Sequence, residues 1–300
     1  MGPRITVVGS FIMDLVIRAP RRPERGETLI GTSFGMFPGG KGANQAVAAA
    51  RLGAEVAMIG RLGNDDFGRT FLQLLKAEGI NTSGIVVDEG LGTGIGNPVV
   101  EDSGDNSIII VPQANSALCP ADVEKASPLI EQADVLLVQL EVPIEASFAA
   151  ARIARQAGAK VILNPAPYRE LPAGFLKLVD ILVPNEVEFA GFTGRRAEGF
   201  ATVVERAKPL LDLGPQAIVV TVGAAGCYLV GRDNALHIPA QRVNQVVDTT
   251  AAGDAFCGAL AWAIASGQSL REACTFANKV AAAAITKLGA ISSLPRANEL

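Results

Sequence analysis

Three hundred residues, 49% hydrophobic and 19% charged, suffice for one large α/β domain or two small ones around a sizeable core. A net charge of −4 with Lys and Arg scattered along the chain excludes a nucleic-acid footprint. Four widely spaced cysteines (Cys119, Cys227, Cys257, Cys274) and a lone His237 leave no disulfide frame, no zinc site and no Ser–His pair.

The chain enters a strand pattern at once, "ITVVGS", with no room for a signal peptide. Further apolar, β-branched runs follow: "VAMIG", "DVLLVQLE", "KVILNP", "DILVPN" and "AIVVTVG". Helical periodicity falls near 42–52, 66–78, 121–131, 144–157, 200–211, 252–266 and 270–287. This alternation predicts an α/β fold, a three-layer αβα sandwich with a mostly parallel central sheet. Ser10, Gly60, Glu141, Asn164, Asn185 and Gly223 end strands and are expected to floor a cleft. Residues 12–37 and 93–112 break the alternation and read as hairpins added to the main sheet, forming a small β-sheet lid. Pro98 predicts an edge position or a bulge. No repeat or linker divides the chain, so residues 1–300 are expected to form a single domain. The most apolar stretch, "AFCGALAWAIASG", is too short to span a bilayer, and a soluble, cytoplasmic protein is expected.

Four stretches carry candidate chemistry. In "DTTAAGDAF" (248–256) a helix beginning near Ala252 would leave the amides of Ala252, Gly253 and Asp254 open to an anion, with the Asp254 carboxylate beside it. That carboxylate is either a helix cap or a proton acceptor. "FPGGKGANQAVAAARLG" (37–53) leads a Gly-rich turn into a helix, with Lys41 and Asn44 placed for a polyhydroxylated ligand. Gly35, Gly40 and Lys41 have P-loop spacing, but Gly42 stands where that motif needs Ser or Thr. In "VPNEVEFAG" (183–191), Asn185, Glu186 and Glu188 open a short helix and either cap it or orient waters around Mg²⁺. "VTVGAAGCYL" (220–229) is a strand–turn–strand against which a phosphate or adenine could lie. Glu141 ends an apolar run and should face the cleft.

"GGKGANQA" (39–46), "NPAP" (164–167), "PNEVE" (184–188), "TVGAAG" (221–226), "DTTAAGDAFCGAL" (248–260) and "KLGAISSLP" (287–295) occur in this order. Together they closely resemble the ribokinase branch of the ribokinase-like carbohydrate kinases, over nearly the whole chain. The resemblance implies an ATP- and Mg²⁺-dependent sugar kinase with an α/β domain and a β-sheet lid, often dimeric through its lids. It implies that Asp254 is the catalytic base and that residues Ala251, Ala252, Gly253 and Asp254 form the anion hole. Ile12, Asp14, Gly39, Gly40, Lys41, Asn44, Glu141 and Asp254 match sugar-contact positions. Asn185 and Glu188 match the N-x-x-E motif that works around Mg²⁺ through water. Thr221, Val222, Gly223, Ala224, Ala225, Gly226, Gly253 and Asn278 match the nucleotide site. Asp248, Thr250, Ala284, Lys287, Gly289 and Ser293 match ligand positions of a monovalent cation, K⁺.

The resemblance implies transfer of a phosphoryl group from ATP to the 5-hydroxyl of D-ribose. Rivals are a nucleoside, fructose or 2-keto-3-deoxygluconate kinase of the same family, or a non-catalytic sugar-binding regulatory protein. Two departures stand out. Relatives read G-S-x-N-x-D near the N-terminus, whereas this chain has "GSFIMD", with Ile12 in the Asn position. A hydroxyl left without its partner there costs about 1–3 kcal/mol, so 2-deoxyribose is expected to be tolerated as well. "VPQAN" (111–115) departs from the usual G-A-N.

Overall fold

The computed structural model describes residues 2–196 and 198–300. From the N-terminus, β1 (Arg4–Val8) leads through β2 (Ile12–Ala19) and β3 (Ser33–Gly39) into α1 (Lys41–Arg51), β4 (Glu55–Gly63), α2 (Asp66–Ala77) and β5 (Asn81–Asp88). A hairpin of β6 (Gly94–Glu101) and β7 (Asn106–Val111) precedes α3 (Pro120–Lys125), α4 (Ser127–Glu131), β8 (Val135–Val138), α5 (Ile144–Ala157), β9 (Lys160–Leu163) and β10 (Ile181–Leu182). Then come α6 (Glu186–Thr193), α7 (Gly199–Asp212), β11 (Ala217–Thr221), β12 (Cys227–Gly231), β13 (Ala235–Ile238), α8 (Ala252–Ala265) and α9 (Leu270–Ala284).

The main sheet has the order β13-β12-β11-β10-β9-β8-β1-β4-β5. Seven strands from β11 to β5 run parallel, and β12 and β13 turn back antiparallel. Alternate residues of each strand enter opposite cores. Ile5 and Val7 of β1 join α1, α2, α8 and α9, whereas Val8 joins α3, α4, α5, α6 and α7. Three layers result, because strands apolar on both faces require helices on both sides. The expected αβα sandwich is the fold.

The two irregular segments do not extend this sheet. They build a separate one, β3-β2-β6-β7, in which two antiparallel hairpins meet through parallel β2 and β6. Pro98 lies inside it, on β6, and not at an edge or bulge. The β2–β6 ladder skips from Asp14↔Gly96 to Ile17↔Val99, three residues on each side, so Pro98 withholds no needed donor. Asn97 Nδ2 bridges the gap to the Leu15 carbonyl at 2.9 Å. Gly60 is also displaced from expectation, because β4 continues past it to Gly63. There it lies against Phe11, and a side chain at Gly60 would meet the Phe11 ring at 2.8 Å. The predicted 121–131 helix divides into α3 and α4 around Ala126, with Pro128 opening the second. β5 was not expected from the sequence. No helix among the described residues is long and apolar enough to cross a membrane.

Candidate active site

Asp254 stands in the first turn of α8, a helix buried along most of its length. Gly258, one turn on, lets α8 approach α1 closely: an added Cβ would fall 2.6 Å from Ala48 Cβ and 2.8 Å from the Gln45 carbonyl. The close crossing sets Asp254 against two consecutive side-chain amides of α1. Asn44 Nδ2 donates to Asp254 Oδ2 at 2.8 Å, and Gln45 Nε2 donates to Oδ1 at 2.9 Å. Both are charge-assisted bonds in a buried setting. Among the described residues Asn44 Oδ1 is buried without a partner, an atom that a ligand donor would satisfy.

The helix N-terminus is open, with one correction. The Ala252 amide is not free, because it donates to the Thr249 carbonyl at 3.2 Å. The Gly253 and Asp254 amides have no acceptor among the described residues. Gly253 is exposed, and a Cβ there would meet nothing within 4 Å. These two N–H groups make a positive pole that faces open space.

On one side of Asp254 lie the residues matched to sugar contacts. Ser10 Oγ and the Lys41 amide donate to Glu141 Oε2 at 2.5 and 2.9 Å. Gly40, at φ 87°, caps α1 with its Cα so near Ile12 that an added Cβ would fall 2.7 Å from the Ile12 nitrogen. Ile12 and Asp14 project from the same face of β2, and Gly39 and Gly96 pack against the Asp14 carboxylate. Ile12 itself is 4% exposed. Upstream of Ile12, buried Asn115 clamps both backbone groups of Phe11: Oδ1 accepts from its N–H at 2.9 Å, and Nδ2 donates to its carbonyl at 2.7 Å. Gln113 occupies the left-handed region at φ 45°, a conformation that favours Gly.

On the other side opens a cleft of about 840 Å³. Lys41, Asn185, Glu188, Thr221, Gly223, Ala224, Gly226, Thr250, Ala252, Gly253, Asp254 and Asn278 all line it. Three positions matched to this region do not: Val222 and Ala251 are buried in the two cores, and Ala225 is turned toward His237, whose Nε2 lies 2.8 Å from its carbonyl. Sequence reading missed several walls of the cleft: Val243, Val246 and Ile285, isolated apolar residues outside regular elements that carry no motif, and Val187, an apolar residue of α6 between the two acids on which that motif is read. Asn278 is oriented by Nδ2 bonds to the Ile238 and Pro239 carbonyls at 3.0 and 3.2 Å.

Asn185 and Glu188 form a reciprocal capping box on α6. Glu188 N–H donates to Asn185 Oδ1 at 2.8 Å, while the Asn185 backbone and side-chain amides each reach the Glu188 carboxylate at 2.9 Å. The cap is real, yet it leaves Glu188 in the cleft wall with spare lone pairs on both oxygens.

The electrostatics are lopsided. Burial disfavours a charge on Lys41, but Asp254, Glu141 and Glu188 outweigh it and raise its pKa. Burial raises Glu141 despite Lys41 and Ser10, and it raises Glu188 despite the Asn185 bonds. Asp14 is pushed up to about 6 by burial and then by Glu141. Several carboxylates thus converge on one ammonium, an excess suited to a divalent cation arriving with phosphate. No cluster of three or more His, Cys, Asp or Glu side chains that could hold a metal ion exists among the described residues.

The residues matched to the monovalent cation come from two loops tied together by Asp248. Its Oδ1 accepts from the Thr250 amide and hydroxyl at 2.9 and 2.5 Å, and its Oδ2 accepts from Gly289 N–H at 2.9 Å. Burial opposes this charge, but the bonds prevail and hold the Asp248 pKa below its ordinary value. The Val247 amide reaches the Ile285 carbonyl at 2.8 Å, just beyond Ala284, whose carbonyl accepts from Lys287 N–H at 3.2 Å. Buried Ser293 donates to the Ala290 carbonyl at 2.9 Å. Arg51 supports this segment from behind with bonds to the Ile291 and Leu294 carbonyls at 2.8 and 2.7 Å. The donor set is entirely oxygen, as a hard cation requires.

The ribokinase of Haemophilus influenzae is 41% identical to this chain, covering 100% of it and 97% of that protein. The deoxyribokinase of Salmonella typhimurium is 37% identical, covering 97% and 95%. Among solved structures, Arabidopsis thaliana ribokinase complexed with ribose and ATP superposes with a TM-score of 0.93 at 32% identity, over 99% of this chain and 97% of that one. The model of the pfkB family carbohydrate kinases matches residues 3–297. With that span and full-length relatives of this similarity, the chain belongs to the pfkB family of carbohydrate kinases.

Proposed function

We propose that this kinase transfers the γ-phosphoryl group of ATP to the 5-hydroxyl of D-ribose, giving ribose 5-phosphate and ADP. The observation that carries the reading is Asp254, held by Asn44 and Gln45 in the wall of the 840 Å³ cleft and close to Glu141, beside the amides of Gly253 and Asp254, which have no acceptor among the described residues. Asp254 accepts the proton of the attacking hydroxyl. The Gly253 and Asp254 amides bind the transferred phosphoryl oxygens, where charge builds in the transition state. Asp14, Glu141, Gly39, Gly40, Lys41 and Asn44 fix the sugar in line with the phosphate.

Mg²⁺, bound with the nucleotide near Asn185 and Glu188 through water, supplies charge neutralisation. K⁺ is held by Asp248, Thr250, Ala284, Lys287, Gly289 and Ser293, mainly through backbone carbonyls, and steadies the loop that leads into the anion hole. Residues 1–300 act as one domain, with the β3-β2-β6-β7 sheet as a lid that excludes water from the phosphoryl group. Phe34, Met36 and Ile109 are exposed on the face of that sheet opposite Asp14 and support a homodimer joined through the lids. The protein works in the cytoplasm.

Ile12 favours 2-deoxyribose as a second acceptor. Its side chain places methyl groups beside the Asp14 carboxylate, where an Asn would offer a hydrogen-bond partner to a ring hydroxyl. An ATP-consumption screen over pentoses, hexoses and nucleosides, with and without K⁺, tests the reading. Turnover with ribose and 2-deoxyribose is expected. A clear preference for a nucleoside or hexose, or no turnover with any acceptor, would overturn it.

A further inference from the structure

We propose that Gln45 is the positioning residue of Asp254, fixing its carboxylate through a buried chain of amides anchored on the central strands. The proposal rests on Asp254 being the base. Gln45 is fully buried and belongs to no sugar or nucleotide contact named above. Its Nε2 donates both to Asp254 Oδ1 at 2.9 Å and to Asn164 Oδ1 at 3.1 Å, while its Oε1 accepts from Gln139 Nε2 at 2.6 Å.

The direction of every bond in this chain is forced. The Val183 carbonyl can only accept, and it takes Asn164 Nδ2 at 2.9 Å, so Asn164 must turn its oxygen toward Gln45. Both protons of the Gln45 amide are then committed, one to Asn164 and one to Asp254. A flip of either amide would set like groups against each other. Gln139, Asn164 and Val183 directly follow β8, β9 and β10. Asp254 is therefore referenced to three neighbouring strands, although it sits on a helix, α8, that packs on β8 and β1. The charged or ionisable groups facing it are Lys41 of α1, Glu141 after β8, Glu188 of α6 and the Cys257 thiol of α8. None of them hydrogen-bonds to its carboxylate among the described residues, so orientation falls to Asn44 and Gln45. Asn44 also faces the sugar by its match to the family. An apolar side chain would fill the Gln45 volume with less risk, since an unpaired buried polar group is costly, and Gln139 Oε1 at the end of this chain is itself left buried without a partner among the described residues.

The test is steady-state kinetics with ribose and ATP on Gln45→Leu, Gln45→Glu, Gln139→Met and Asp254→Asn, each with a thermal melt and a pH profile. Gln45→Leu should lower kcat roughly 10- to 100-fold while the sugar KM stays within about threefold, the signature of lost alignment. Gln45→Glu, nearly isosteric, puts a second carboxylate against the first. The two retain a shared proton, and the acidic limb of kcat should move up by about one pH unit or more, with activity recovering in alkali. Gln139→Met, which touches neither substrate nor Asp254, should show a smaller kcat loss. Wild-type kcat in Gln45→Leu, or a Gln45→Glu profile superimposable on wild type, overturns the proposal. Should Gln45→Leu fail to fold, the Gln45→Glu profile decides. Inactive Asp254→Asn beside normal Gln45 variants would sink this inference alone, whereas active Asp254→Asn would sink the base assignment.

Discussion

Lowering the pH from about 7.5 to about 5 is expected to weaken sugar binding through Asp14. Burial and the neighbouring Glu141 push the pKa of this carboxyl up to about 6, from an ordinary value of 3.8. At pH 5 only about a tenth of the unliganded protein then carries the charge that accepts sugar hydroxyls, so KM for ribose should rise about tenfold. The same shift makes a stability prediction of defined sign. A folded-state pKa above the unfolded one means that the native state holds the proton more tightly. This stabilisation is complete below about 3.8 and lost as pH rises through about 6. Two units at about 1.4 kcal/mol each set a ceiling near 3 kcal/mol, and water at this half-buried position keeps the effect below it. Asp14→Asn should therefore melt higher than wild type at pH 7.5 while binding ribose poorly, and its ribose KM should be nearly flat with pH. Glu141 is raised as well, so the difference between the two profiles is the quantity to read. Sugar KM across pH 5 to 7.5, with paired melts, is the assay. A flat wild-type profile, or a parallel slope in Asp14→Asn, refutes the reasoning.

Ile12→Asn should restore a partner for the ring hydroxyl and raise the ribose-to-2-deoxyribose ratio of kcat/KM roughly 5- to 150-fold, the equivalent of about 1–3 kcal/mol; an unchanged ratio speaks against the Ile12 role. Gly253→Val should leave the melting temperature nearly unchanged, because the space beyond Gly253 is empty, yet cut kcat or raise the ATP KM roughly tenfold or more by occupying the phosphate approach. Asp248→Ala unties the 248–250 loop from Gly289, so the K⁺ concentration for half-maximal activation should rise roughly tenfold; activity titrated with KCl reads this out.

What the sequence revealed of this molecule follows from which interactions are local. The parallel core was legible because strands such as "VLLV" at 135–138 are apolar on both faces, and helix starts were legible where Asn185 or Ser269 caps its own first turn. β5 escaped because it borders the sheet and its burial alternates weakly along "NTSGIVVD". The lid was legible as the two irregular segments 12–37 and 93–112, but its strand order was not, because pairing β2 with β6 joins segments some eighty residues apart, which no local pattern encodes. At the site, Asp254, Lys41 and Asn44 stood inside recognisable motifs. Gln45 stood in one too, but nothing in "GANQA" indicates that its amide meets Asn164 and Gln139 from strands far along the chain. The bond that occupies the Ala252 amide depends on how residues 249–252 turn, and a run of Thr and Ala leaves that turn unspecified.

Proton removal by Asp254 is tested most directly by single-turnover or steady-state kcat of Asp254→Asn at saturating ribose and Mg·ATP. Asn keeps an acceptor for one of the two amides from Asn44 and Gln45, so the fold should survive with a modest loss of stability. A fall of roughly 10²- to 10⁴-fold in kcat with ribose still bound is the predicted result. Turnover close to wild type would contradict it.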